Sequence, residues 1–283
     1  MSKILVTGAG GYIGRYVVKK LLNFNFNVIA VNLNTDEIDK RAQIIEKNIF
    51  EDFDNDFSQL GNPDICIHLA WRDGFIHNSH NHMGDLSNHY NFLKKIIDAG
   101  ISQLIILGSM HEVGYYEGAI DEYTPCNPIT LYGIAKDSLR RSIQLLTNEK
   151  NIVFQWLRAF YIYGDDCRSS SIFSKILFAA GNGQKEFPFT TGKNLYDFIH
   201  VEQLASQIAA CANQSEITGI INCCTGKPVS LAEKVENFIK DNDLNIKLSY
   251  GSFPDREYDS PGIWGDNKKI MAIINKQNVF KVA

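Results

Sequence analysis

The chain has 283 residues, 45% of them hydrophobic and 21% charged, with a formal net charge of −4. That length and balance build a sizeable core without disulfide or metal staples, and exclude a disordered or collagen-like chain. They also exclude a surface made for nucleic acid or anionic membrane, and no apolar stretch reaches the roughly 18 residues of a membrane span.

In chain order, apolar runs of strand length fall at 4–7, 28–32, 65–70, 104–107, 154–157 and 220–223, with a short one at 43–46. Amphipathic stretches at 13–23, 80–99, 131–148 and 202–212 separate them. Near-continuous apolar strands alternating with helices predict an α/β fold, a doubly wound parallel sheet of Rossmann type. The alternation loosens at about 165–194 and after 225, where turn residues such as Gly181-Asn182-Gly183 and Ser260-Pro261-Gly262 gather. The chain therefore divides into a dinucleotide-binding domain, 1–164 rejoined by 196–224, and a small substrate-binding cap, 165–195 with 225–283.

The first strand runs into Thr7-Gly8-Ala9-Gly10-Gly11-Tyr12-Ile13-Gly14. Glycines at 8, 11 and 14 permit a tight turn, a close backbone approach to a pyrophosphate and close packing of the helix. The free N–H groups of the following helix then bind the phosphates of NAD or NADP, with Gly8, Gly10, Gly11, Tyr12, Ile13 and Gly14 as contacts. Asn32, at the end of the second strand, suits a ribose hydroxyl without repelling a 2′-phosphate, so the choice between the two cofactors stays open. Asn48 and Ile49 follow the short third strand and are candidates for the adenine, or a plain loop.

His77, His80, His82 and His89 cluster, yet their spacing does not put three on one helical face, which points to a polar helix entrance rather than a metal site. The six cysteines show no paired metal spacing, and several lie in apolar runs; they read as buried thiols of a cytoplasmic protein that holds no metal. His68, inside an apolar strand, is a core residue or packs beside the cofactor. Tyr132 and Lys136 stand four residues apart on one helical face. A cation near a phenol favours phenolate, which suits acid–base work at a carbonyl or alcohol.

With the glycine turn, the Tyr132/Lys136 pair, the strand Ile67-His68-Leu69-Ala70, residues 157–164, Asp197-Phe198-Ile199-His200-Val201 and 219–226, the sequence resembles the extended short-chain dehydrogenases/reductases over nearly its whole length. The resemblance is to their nucleotide-sugar epimerase/dehydratase/reductase branch. It implies Tyr132 as acid/base and Lys136 as the residue that holds the nicotinamide ribose and lowers the Tyr132 pKa, with Leu69 and Ala70 beside the cofactor. The assembly expected is a homodimer.

Members of that branch carry a Ser or Thr at the position occupied here by Met110, in Gly108-Ser109-Met110-His111-Glu112-Val113-Gly114. Either Ser109 supplies the hydroxyl from one residue earlier or His111 polarises the carbonyl; the bland alternative makes Ser109 a strand-end cap. Dehydratases of the family carry Thr-Asp-Glu where this chain has Met110-His111-Glu112, so dehydration is disfavoured. Met110, Glu112, Tyr161, Arg168 and Arg256 are the candidates for substrate contact, the two arginines being equally plain surface charges.

The loop is similar to that of bacterial dTDP-6-deoxyhexose 4-ketoreductases. The activity implied is NAD(P)-dependent reduction of a nucleotide-activated 4-keto-6-deoxy sugar, for cell-surface polysaccharide, with no nucleic-acid or membrane partner. A nucleotide-sugar epimerase is the nearest alternative, and a dinucleotide-binding regulator without catalysis is the second.

Overall fold

The computed structural model describes residues 2–51, 57–167, 169–255 and 259–282, the last five by backbone alone. From the N-terminus come β1 (Lys3–Thr7), α1 (Gly14–Asn23), β2 (Asn27–Asn32), β3 (Gln43–Glu46), β4 (Ile65–His68), α2 (Asn81–Gly84), α3 (Leu86–Asp98) and β5 (Gln103–Ser109). Next are β6 (Gly118–Ile120), α4 (Leu131–Lys150), β7 (Val153–Ala159), β8 (Tyr161–Tyr163), α5 (Ile172–Gly181), β9 (Glu186–Pro188) and β10 (Leu195–His200). Then follow α6 (Val201–Ala212), β11 (Gly219–Cys223), β12 (Pro228–Ser230), α7 (Leu231–Asp241), β13 (Lys247–Ser249), β14 (Gly262–Gly265) and α8 (Lys268–Val282).

The large sheet has seven parallel strands in the order β11-β7-β5-β4-β1-β2-β3. Its apolar strands are buried on both faces. One face, with Ile4, Val6, Ile67 and Leu157, packs against Val17, Val18 and Leu21 of α1 and Leu204 and Ile208 of α6. The other, with Leu5, Cys66, Leu104 and Trp156, packs against Leu93 and Ile96 of α3 and Leu139 and Ile143 of α4. Among the described residues no helix is long and apolar enough to cross a membrane.

A second sheet, β12-β10-β14-β6 with β8 on the flank of β10, stands at the carboxyl end of the first and has its own core of Phe160, Phe173, Phe198, Phe238 and Ile263. Three details differ from the sequence reading. The helix expected at 80–99 breaks at Asp85, whose carboxylate turns out to meet Arg72 at 2.5 and 2.9 Å. Strand β10 lies in the second sheet. Helix α8, expected in the cap, seats Ile270 and Ile273 in the core of the large sheet, because the chain after β14 returns along α6.

Candidate active site

Gly8 sits at φ +69°, and a Cβ there would lie 2.6 Å from Ala70 N. A Cβ on Gly10 would meet Asn34 O at 2.3 Å, and one on Gly14 would meet Gly8 O at 2.1 Å. The turn is a cradle that side chains would fill. Helix α1 opens from it with no side-chain cap and no acidic residue in its first turn, leaving N–H groups for an anion. These residues fit the diphosphate of a dinucleotide. Leu69 and Ala70 border the cradle, their N–H groups directed to Thr7 O and Thr7 Oγ1. Tyr12 leans on Gly164 and edge-on to Tyr16, and Ile13 packs on the sheet core.

Asn32 Nδ2 donates to Asn34 O at 2.6 Å, beside Gly10. Asn48 accepts the Phe50 N–H within its own turn, and the Ile49 side chain is buried in the core under α3. Arg168 and Arg256 lie outside the described residues.

Helix α4 is started by Thr130, whose hydroxyl accepts the Gly133 N–H. Its first two turns aim Tyr132 and Lys136 toward the end of β5. Lys136 is 4% exposed; its Nζ donates to Leu107 O at 2.8 Å and lies 3.8 Å above the ring of Trp71. The Ser109 side chain pulls the Tyr132 phenol toward a lower pKa, and the first turn of α4 lies against the turn after β5, where a Cβ on Gly133 would meet His111 O at 2.4 Å; Ser109, not Met110, is thus the hydroxyl on the tyrosine's side. His111 presents its ring 6.1 Å from that of Tyr132.

Electrostatics run opposite to the phenolate expectation. Burial drives the Tyr132 phenol above its ordinary range, the Ser109 hydroxyl pulling the other way, while burial lowers Lys136 to about 7. Desolvation outweighs the mutual attraction because the ammonium faces Trp71 and a carbonyl, 6.0 Å from the phenol ring.

The histidines form a wall. His68 joins Thr7 Oγ1 at 2.8 Å and His89 at 2.9 Å. His89 stacks on Trp71, whose indole N–H donates to His82. His77 lies parallel to Tyr132, and its backbone carbonyl accepts the Tyr132 N–H. No group of three among the described residues could hold a metal.

Glu112, expected as a substrate contact, is instead wholly buried behind the turn. It accepts the Ser109 N–H at 2.6 Å and the Trp156 indole N–H at 2.9 Å, and faces Arg158 and Arg140 at 3.7 and 4.0 Å. The reason is the turn itself: a single 3₁₀ turn, Met110–Glu112, points its last side chain back under the strand. Met110 belongs to the core of the second sheet, and with Tyr161, Ile263 and Asp259 it lines a cavity of about 20 Å³. Tyr161 stacks on Tyr196 at 4.1 Å.

Sequence reasoning missed Trp71 and the cage of Trp156, Arg158 and Arg140. The one available signal was Arg158, a lone cation inside an apolar strand.

A model of the NAD dependent epimerase/dehydratase family matches residues 4–224, and the chain belongs to that family. It is an NAD-dependent oxidoreductase of the extended short-chain dehydrogenase/reductase type. The dTDP-6-deoxy-L-talose 4-dehydrogenase (NAD(+)) of Aggregatibacter actinomycetemcomitans is 43% identical over 269 residues, 93% of this chain and 98% of that protein. A putative UDP-glucose 4-epimerase of Methanocaldococcus jannaschii is 27% identical, over 81% of this chain and 79% of that one. The fold is shared with UDP-glucose 4-epimerase of Thermotoga maritima: TM-score 0.81, 22% identity, 95% of this chain and 91% of that one.

Proposed function

We propose that the chain reduces the 4-keto group of a nucleotide-activated 6-deoxy sugar, with Tyr132, Ser109 and Lys136 as its catalytic residues. The observation that carries this is the meeting of Ser109, Tyr132 and Lys136 at the carboxyl end of β5: Lys136 Nζ donates to Leu107 O at 2.8 Å, and the first turn of α4 lies so close to the Met110–Glu112 turn that a Cβ on Gly133 would meet His111 O at 2.4 Å. The relative from Aggregatibacter supports it, since its name describes the same C4 chemistry written as oxidation.

Bound NAD(P)H supplies the hydride. A high phenol pKa keeps Tyr132 protonated at neutral pH, ready to give its proton to the carbonyl oxygen. Ser109 Oγ accepts the His111 N–H at 3.2 Å, so its own proton is left for that same oxygen. In this reading Lys136, seated 3.8 Å over Trp71, is the residue that holds the nicotinamide ribose. Residues 165–195 and 225–265 supply the sugar-nucleotide side. A cytoplasmic setting, in the supply of sugars for cell-surface polysaccharide, goes with six free cysteines. A homodimer goes with Ile134 and Leu145, both exposed on one face of α4, and sedimentation measures it.

The test is incubation with NADH or NADPH and a panel of nucleotide 4-keto sugars. Stoichiometric loss of reduced-cofactor absorbance is expected; product without such loss means epimerisation. Tyr132→Phe should keep cofactor affinity and lose at least about a hundredfold in turnover, the contribution of a general acid. Near-normal turnover in that variant removes Tyr132 from the chemistry.

A further inference from the structure

Ser109 is one residue out of place for its task, and something must hold it there. Its side chain accepts the His111 N–H at 3.2 Å in a turn packed against the start of α4, where a Cβ on Gly133 would meet His111 O at 2.4 Å, and in the reaction proposed above the same hydroxyl serves beside Tyr132; both require a fixed strand-to-turn bend. The backbone N–H of Ser109 goes to Glu112 Oε1 at 2.6 Å, which makes the bend a reciprocal capping box.

The far side of that carboxylate is fastened just as firmly. Trp156 Nε1 donates to both oxygens, and Arg158 and Arg140 flank them. Arg140 is in turn held by Asp137 at 2.5 Å, and Arg158 donates to Asp121 O at 3.1 Å. Room for the group exists because residue 108 has no Cβ: one placed there would lie 2.6 Å from Glu112 Oε1. A buried ionic cluster of this kind adds little stability over apolar packing of the same volume. What it does supply is a defined geometry for the group it grips, and that group is the Ser109 backbone.

We propose that Glu112 is a positioning residue for the reaction, fixing through the Ser109 N–H the turn that carries the Ser109 hydroxyl to Tyr132. The inference rests on the role given to Ser109 above. It assigns Glu112 no contact with substrate or cofactor and no proton transfer.

The test is a double-mutant cycle in the full-length chain. Glu112→Gln keeps the length and alters the charge; Glu112→Asp keeps the charge and draws the carboxylate back by one methylene. Each should lower kcat about tenfold, with KM for the sugar nucleotide and cofactor Kd within about twofold, as for an interaction felt in the transition state. Ser109→Ala should lower kcat about a hundredfold. In that background neither Glu112 substitution should lower kcat further, because the group through which it acts is gone.

An equal loss in both backgrounds would make Glu112 a stability residue only and overturn the proposal. Loss of melting temperature with kcat unchanged would do the same, and so would a Ser109→Ala variant of normal turnover. Wild-type turnover on the sugar panel reports separately on the reaction; only the dependence on background reports on Glu112.

Discussion

Lys136 shows how burial sets the chemistry of one side chain. An exposed lysine keeps its proton to about pH 10.4, but here burial lowers the value to about 7. The ammonium over the Trp71 face is the form that the cation–aromatic contact favours, and it is the form able to give all three N–H bonds to carbonyl and ribose oxygens. The folded value is depressed, so the charge is present below pH 7 and is lost as pH rises through it. Tyr132, pushed the other way, keeps its proton over the same range. For reduction, kcat/KM measured against the cofactor reports the free enzyme, and it should fall on the alkaline side with an apparent pKa near 7. The residual activity of Lys136→Met should lack that limb. A wild-type profile flat from about pH 6 to pH 9 would show that the ammonium is not needed.

At the level of elements, the motifs were legible where local physics fixes them. The turn from β1 into α1, the helix expected at 131–148 and the run of apolar strands each follow from residue type and spacing. The short strands β6, β8, β12 and β14 were not, because three or four residues carry no period and their pairing is long-range. For the site, the approach of Tyr132 and Lys136 to the end of β5 could be read from their spacing, whereas Ser109 stood among three readings, and the bond from the His111 N–H shows it as a cap as well. The inward turn of Glu112 could not be read, since it depends on Trp156 and Arg158 arriving from β7. Gly108, at the end of β5, is where the two strands meet this cage. A Cβ there would lie 2.0 Å from Trp156 Nε1, inside any real contact, whereas one on Gly74 would meet nothing within 4 Å. Gly108→Ala should therefore cost roughly 1–3 kcal/mol in denaturant unfolding, as overpacking does. Gly74→Ala should stay within about 0.5 kcal/mol. Equal stabilities for the two variants would mean that the cage has room to spare.

Across the whole molecule, the two sheets must keep a fixed relation if the cofactor on one is to meet a sugar held by the other. Asp197, on β10 and fully buried, is placed to hold it. Its Oδ1 accepts the N–H and hydroxyl of Thr225 at 2.9 and 2.6 Å, in the segment leaving β11 of the large sheet. Its Oδ2 accepts the N–H groups of Gly226 at 2.8 Å and of Gly265, on β14 of the second sheet, at 3.3 Å. One carboxylate thus gathers four donors from both sheets, and charge-assisted bonds of this kind are about twice as strong as neutral ones. Asp197→Asn replaces one acceptor oxygen by an NH₂ that faces hydrogen-bond donors, leaving up to two of them unsatisfied. The expected cost is about 2–4 kcal/mol, read as a lower melting temperature. Because none of the four donors belongs to the glycine turn or to α1, cofactor Kd should hold while KM for the sugar nucleotide rises. If cofactor Kd weakens as much as KM does, Asp197 supports the large sheet as a whole, and the join between the sheets lies elsewhere.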